Sequence, residues 1–490
     1  MSISSRRAFA AGACLWVAAG VLACGHGQGG GPPRPASPAT AGAALEGAWA
    51  GTLVIGPVRL RLVVKIRRQG SGWAATLDSV DQHAQDIPID TVTFEGDALT
   101  LRASKLQASF DARLERDSLS GTFRQRGVVV ALMLTKTAHP PTVSRRPQEP
   151  LRPFPYDELE LVVDNPPGHG QLACTLTRPR GAGPFPAVLL VTGSGPQNRD
   201  ESLAGHRPFL VLSDALTRRG IAVLRCDDRG IAQSTGDFAT ATTFDFVDDT
   251  LAELAALRAR DGIDPQRVGL IGHSEGAMIA PMAAVRSSDV KFVVLLAAPA
   301  LPGRQTISLQ QAAIAKAAGA SDAEINRTEA EQREIFAIVT KEKDEAAAAK
   351  LLRARFEALP EAERRAAERK PGFLDAQIKQ VTSPWFRAFL ELDPRDSLRR
   401  LAVPVLVLQG ERDLQVLPSA NLPELRRALH DNPDVTIQEL PGLNHLFQSC
   451  RTGSPDEYAR IDETLSPTVP SIVVDWIAHH AAAPHASFPR

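Results

Sequence analysis

Between Arg267 and Val285 the chain reads RVGLIGHSEGAMIAPMAAV. Its first six residues, Arg267–Gly272, form a short apolar run that predicts a buried strand. Its last ten, Gly276–Val285, are mostly small and predict a helix that packs closely on its neighbours. Between them lies GHSEG, of the form Gly-x-Ser-x-Gly. The pentapeptide alone carries little weight. With a strand before it and a helix after it, it reads as a nucleophile elbow, the sharp turn that lifts a serine out of a sheet into a cleft. The two glycines let the backbone turn tightly and keep side chains out of the strand–helix contact. Ser274 is therefore the candidate nucleophile.

Outward from the elbow, strands and helices alternate. Leu159–Val163 and Gln171–Thr177 suit a hairpin, and Ala187–Thr192 (AVLLVT) a buried strand followed by the helix Pro208–Arg219. Ile221–Cys226 is the next strand, and Phe244–Arg258 a helix with apolar residues at helical spacing. Lys291–Ala297, Pro404–Gln409 (PVLVLQ) and Val435–Leu440 (VTIQEL) are further strands, and a final helix covers about Pro467–His480. This alternation predicts an α/β domain from Tyr156 to the C-terminus, with a mostly parallel sheet covered on both faces. Gly303–Leu392 interrupts the rhythm. It is rich in Ala, Glu, Lys and Arg, has no strand-like run, and reads as amphipathic helices. Its insertion between two sheet strands favours a lid over a structural lengthening of the fold.

A serine hydroxyl needs a base, and the base needs a partner that holds its tautomer. Asp413 follows PVLVLQ in the loop GERD, and His445 follows VTIQEL in PGLNH. Ser274, Asp413 and His445 thus fall at the same edge of the sheet, in the order Ser…Asp…His. Glu411 is the nearby rival of Asp413; His206, His273 and His430 are the rivals of His445. His273 is expected to point away from the base, and His430 to lie in the helix before the last strand. An oxyanion hole needs two backbone N–H donors. Glu275, the residue after the nucleophile, supplies one, and the loop TGSG after AVLLVT the other, with Ser194 favoured and Gly195 next. TGSGP lacks the Gly-Lys-Ser/Thr ending of a phosphate loop. Asp227, Asp228 and Arg229, with Arg199 and Asp200, read as a structural Arg–Asp network.

Taken together, TGSGPQNRD, CDDRGIAQSTG, GHSEG, GERD and GLNH resemble the α/β-hydrolases of the exported bacterial esterase type, a fold shared with prolyl-aminopeptidase-like enzymes. The resemblance covers about Tyr156 to the C-terminus. It implies an eight-stranded, mostly parallel sheet and a serine hydrolase acting on small carboxylic esters without a cofactor. An aminopeptidase or amidase with the same triad remains open. Such an enzyme would want a lid carboxylate for the substrate amine, and Glu324, Glu329, Glu331 and Glu334 are available, though they also suit a solvated helix face. An acyltransferase, or a tethered binding protein with a vestigial triad, are the other readings.

The formal net charge of −1 argues against a nucleic-acid partner. The N-terminus reads as a targeting segment, residues 1–24. Arg6 and Arg7 lie in SSRRAFAAG, which resembles a twin-arginine signal, and Val21–Cys24 looks like a lipoprotein box with Cys24 as the lipidated residue. Export to the cell envelope, with a membrane tether through Cys24, is the expectation. Residues 25–44, rich in Gly, Pro, Ala and Ser, read as a flexible linker. Cys174, Cys226 and Cys450 remain, an odd number that argues against a complete disulfide framework, and Cys226 reads as a small core residue. No Cys/His cluster has metal-ligand spacing.

Residues 45–137 change character. Val58, Leu60, Leu62, Val64 and Ile66 alternate with a mostly charged set, and shorter alternating runs follow. They predict a small antiparallel β-domain of six to eight strands. His83 reads as a loop residue. Residues 138–155, rich in Pro and Arg, read as an interdomain linker.

Overall fold

The computed structural model describes residues 45–480, save 56–57, 71, 81–83, 126–127, 142–145, 166–169, 362–363 and 365–372. The targeting segment with Cys14 and Cys24, the 25–44 linker and His83 lie outside the described residues. The rest forms two compact units, one ending at Arg145 and the other beginning at Arg146.

The first unit is an antiparallel meander of nine strands, one more than the largest number expected. They are β1 (Gly47–Ile55), β2 (Val58–Gln69), β3 (Gly72–Ser79), β4 (Ala84–Ile89), β5 (Thr91–Glu95), β6 (Ala98–Ala103), β7 (Ala108–Glu115), β8 (Ser118–Gln125) and β9 (Val128–Lys136). The first and last strands pair, so the sheet order is β4-β3-β2-β1-β9-β8-β7-β6-β5. The core is one face of this alternation: Trp49, Leu62, Val64, Leu101, Phe110, Leu119 and Leu134 pack together. Trp49 satisfies its buried indole N–H on the carbonyl of Leu45 at 2.8 Å.

The second unit holds an eight-stranded sheet of β10 (Asp157–Asn165), β11 (Gly170–Arg178), β12 (Phe185–Val191), β13 (Ala222–Cys226), β14 (Ile263–His273), β15 (Val293–Leu296), β16 (Val405–Gly410) and β17 (Val435–Leu440). Their order is β10-β11-β13-β12-β14-β15-β16-β17. β10, β11 and β13 pair antiparallel, and every pairing from β13–β12 to β16–β17 is parallel. The inner strands β13, β15 and β16 are buried along their whole length, because helices cover both faces. Thr243–Arg258, Gly276–Arg286 and Pro418–Ala428 pack on one face, and Pro208–Arg218 and Thr468–His480 on the other. Between β15 and β16 the described residues include, ahead of a short helix at Arg395–Arg399, the helices Gly303–Ala317, Asp322–Lys341, Glu345–Glu357, Phe373–Thr382 and Pro384–Glu391. They share a core of Ile307, Phe336, Val339, Phe386 and Phe389, joined by Met278 of the elbow helix.

Two expectations are corrected here. Residues 146–155 belong to the second unit rather than to a linker. The Arg146 guanidinium donates to the carbonyls of Gly205, Ala459 and Ile461, and Glu149, buried, pairs with Arg207 at 2.6 Å. Proline and arginine there signal turns anchored to the domain, not a free tether. Cys226 is a disulfide partner of Cys174, because β11 and β13 place the two residues directly opposite each other, with Cα atoms 4.0 Å apart. Cys450 is the free thiol among the described cysteines. The bridge spans 52 residues of sequence, for which chain entropy gives about 4 kcal/mol of stabilisation. Reduction, or a Cys174→Ala/Cys226→Ala double variant, is expected to lower the denaturant midpoint of this unit by a corresponding amount, whereas Cys450→Ala leaves it near the wild-type value.

Candidate active site

The elbow strand β14 ends at His273, and the next helix starts at Gly276. Ser274 between them sits at φ +53°, a left-handed conformation that costs a non-glycine residue energy and persists where the surroundings enforce it. The glycines enforce it sterically. A Cβ on Gly272 would come 2.1 Å from the carbonyl oxygen of Gly276, and one on Gly276 would come 2.1 Å from that of Val191. Ser274 is partly exposed, and its hydroxyl makes no hydrogen bond with any described residue.

The buried Asp413, just past β16, is surrounded by donors. Its Oδ2 accepts from His445 Nδ1 and from Gln409 Nε2, each at 2.8 Å. Its Oδ1 accepts from the backbone N–H groups of Gln415 and Val416, also at 2.8 Å. His445 is buried too, in a loop after β17 that Asn444 organises by accepting from the N–H groups of Leu446 and Gln448. With Asp413 on Nδ1, the other imidazole nitrogen is left as the acceptor. The rival Glu411 is exposed and accepts instead from the N–H of Gly442. His206 is buried between Thr464 and the carbonyl of Tyr458. His430 stands exposed just beyond the helix that ends at Ala428, beside Asp431, rather than within that helix.

The loop after β12 lies against the elbow: a Cβ on Gly193 would be 3.3 Å from that of Ser274. Gly193 gives its N–H to Glu201 Oε1 at 2.7 Å. The N–H groups of Ser194 and Glu275 donate to no acceptor among the described residues. Asp228 braces this loop by accepting from Thr192 Oγ1 and the N–H of Gln197, both at 2.8 Å. Burial raises its pKa well above the usual carboxylate range, against these hydrogen bonds. Asp227 instead forms the bidentate pair with Arg199, and Asp249 that with Arg229.

This sheet order, with its antiparallel leading strands and an elbow after β14, coincides with a sequence match: residues 208–449 fit the family model "Serine aminopeptidase, S33". Over these residues the second unit resembles the α/β-hydrolases. Esterase EstD of Thermotoga maritima is 29% identical to the chain over 309 residues, covering 63% of this chain and 64% of that protein. The match therefore spans less than two thirds of the relative. Among solved structures, ferulic-acid-bound Est1E of Butyrivibrio proteoclasticus aligns with 66% of this chain and 100% of its own, at 16% identity and a TM-score of 0.40. Proline iminopeptidase of Mycobacterium smegmatis aligns with 66% and 99%, at 20% identity and a TM-score of 0.39.

Several contacts around the elbow had no signal in the sequence pattern. The Glu275 carboxylate is buried and accepts from Thr243 Oγ1 at 2.6 Å and from Trp385 Nε1 at 2.8 Å. Burial raises its pKa, and the hydrogen bonds from Thr243, Ser194 and Trp385 oppose that rise. Trp385 belongs to the inserted helix Pro384–Glu391, so the insertion is bonded to the residue next to the elbow serine. His273 does not point away from the base. Its ring centroid is 4.9 Å from that of His445.

Proposed function

We propose that the chain is a serine esterase of the cell envelope. The observation that carries this reading is the buried 2.8 Å hydrogen bond between Asp413 and His445, whose ring lies 4.9 Å from that of His273, the residue before a serine held at φ +53°. In the proposed cycle His445 Nε2 takes the proton of the Ser274 hydroxyl as its oxygen attacks the ester carbonyl carbon. Asp413 keeps the proton on Nδ1 and stabilises the imidazolium. The N–H groups of Ser194 and Glu275 receive the negative oxygen of the tetrahedral intermediate. The His445 imidazolium then gives its proton to the departing alcohol, leaving an acyl-Ser274. A water deprotonated by His445 hydrolyses that intermediate and restores the serine.

Ester rather than amide chemistry is favoured by the likeness to Esterase EstD. Two of the lid carboxylates that an amine-binding site could use are already engaged: Glu324 caps its own helix through Ser321, and Glu334 pairs with Arg355. The inserted helices act as a lid in this reading, supported by the Trp385–Glu275 contact. Export is supported by the Cys174–Cys226 disulfide, a bond suited to an oxidising compartment.

The test is labelling with a fluorophosphonate probe, followed by turnover of a p-nitrophenyl ester series and of an aminoacyl anilide. Covalent labelling of Ser274 and ester turnover well above anilide turnover are expected. A folded protein that takes up no probe would overturn the enzymatic reading, and preference for the anilide would transfer it to the aminopeptidases.

A further inference from the structure

His273 occupies a variable position of the elbow motif, yet it is buried and both of its ring nitrogens are engaged. Nδ1 lies 2.9 Å from Glu201 Oε1, and Nε2 lies 3.0 Å from the backbone carbonyl oxygen of His445. A carbonyl oxygen can only accept, so Nε2 must carry a hydrogen. Glu201 Oε1 already accepts the N–H of Gly193 at 2.7 Å, so the same oxygen is poorly placed to be a hydroxyl donor toward Nδ1. Nδ1 must then donate as well. We propose that His273 is a permanent imidazolium, paired with Glu201, and that the pair is a positioning device that ties the oxyanion loop to the backbone of the catalytic base.

The connection is continuous: Gly193 N–H to Glu201, Glu201 to His273, His273 to the His445 carbonyl. Each end belongs to a different loop of the site, and His273 is bonded in sequence to Ser274. The three parts that must hold a common geometry therefore share one ionic link, in a place where a misplacement of about 1 Å costs about a hundredfold in rate. Glu201 is itself held in the left-handed region, at φ +51°, with its N–H on the carbonyl of Asn198. The electrostatics agree. Burial alone would lower the pKa of His273, but the Glu201 charge and hydrogen bond, the His445 carbonyl and the Asp413 charge outweigh it and hold the pKa above its ordinary value. The groups facing the ring are Glu201, His445, the charge of Asp413 and the apolar edge of Phe447. Because Glu201 neutralises His273, the His445 imidazolium formed during catalysis meets a paired charge and not a bare cation.

The assignment of charge stands on the structure alone; the catalytic consequence rests on the proposed Ser274–His445 chemistry. The test has two arms. In protein labelled with ¹⁵N-histidine, with His273→Gln assigning the signals, both ring nitrogens of His273 are expected to carry protons at mildly alkaline pH. One unprotonated nitrogen would overturn the proposal. In the second arm Glu201→Gln keeps the shape and the acceptor for Gly193 but removes the charge. It is expected to lower ester kcat by between about tenfold and a hundredfold, with KM little changed and the acid limb of the pH profile displaced. A variant with wild-type kcat and pH profile would overturn the positioning role. A wild-type protein whose Ser274 takes no fluorophosphonate would instead defeat the esterase reading, and leave the ring protonation measurement decisive for the ion pair.

Discussion

Ser274→Ala is expected to reduce ester turnover by about a millionfold, to the residual level that binding and the oxyanion donors sustain. The expectation is sharp because the substitution changes little else. Alanine carries the same Cβ, so it meets the same penalty at φ +53° that serine meets. The hydroxyl it removes has no hydrogen-bond partner among the described residues, so no buried group loses a partner. The unfolding midpoint should therefore stay near that of the wild type while activity and fluorophosphonate uptake disappear. Pre-steady-state titration with a p-nitrophenyl ester measures both, since the burst that reports acyl-enzyme formation should vanish. A variant that still hydrolyses esters at the wild-type rate would remove Ser274 from the mechanism.

The second large effect is that of Asp413→Asn, expected at about ten-thousandfold in kcat. Asp413 accepts four N–H groups, two on each oxygen. An asparagine offers one accepting oxygen. The backbone N–H groups of Gln415 and Val416 are fixed, so the amide oxygen stays with them and its NH₂ turns toward His445 Nδ1 and Gln409. Two donors then face each other at His445. The imidazole relieves the conflict by moving its proton to the other nitrogen, the one required to accept from Ser274. The loss should fall on kcat rather than KM. The Ser274→Ala/Asp413→Asn double variant should be no slower than Ser274→Ala alone, because residues acting as one unit are non-additive. Additive losses would show that Asp413 acts elsewhere.

The sequence disclosed those parts of the molecule whose cause is local. β12 and β16 announce themselves because strands covered on both faces must be apolar throughout. The elbow is legible because two glycines are required by contacts a few residues away in the chain, and Asp413 and His445 because each follows its strand. In the first unit, β1, β3, β4 and β8 give no distinct run; they mix Gly, Ala and polar residues, and their alternation is weak without the partner strand. The disulfide depends on the register of β11 against β13, which composition does not reveal. The roles of Glu201 and His273 depend on an approach between residues 72 positions apart, and that of Trp385 on one across 110. The adjacency of His273 to Ser274 was the one available hint, and motif logic treats that position as free.

The Cys174–Cys226 bridge also decides how the sheet would yield to a pull. Tension entering from the N-terminal side reaches the sheet at β10, its edge strand, and a hairpin loaded at an edge opens one hydrogen bond at a time. β10 can peel from β11 in this way. At β11 the unzipping meets a covalent bond to β13, two strands from the edge and fully buried. Further extension must then drag on the parallel interior, where many bonds share the load at once.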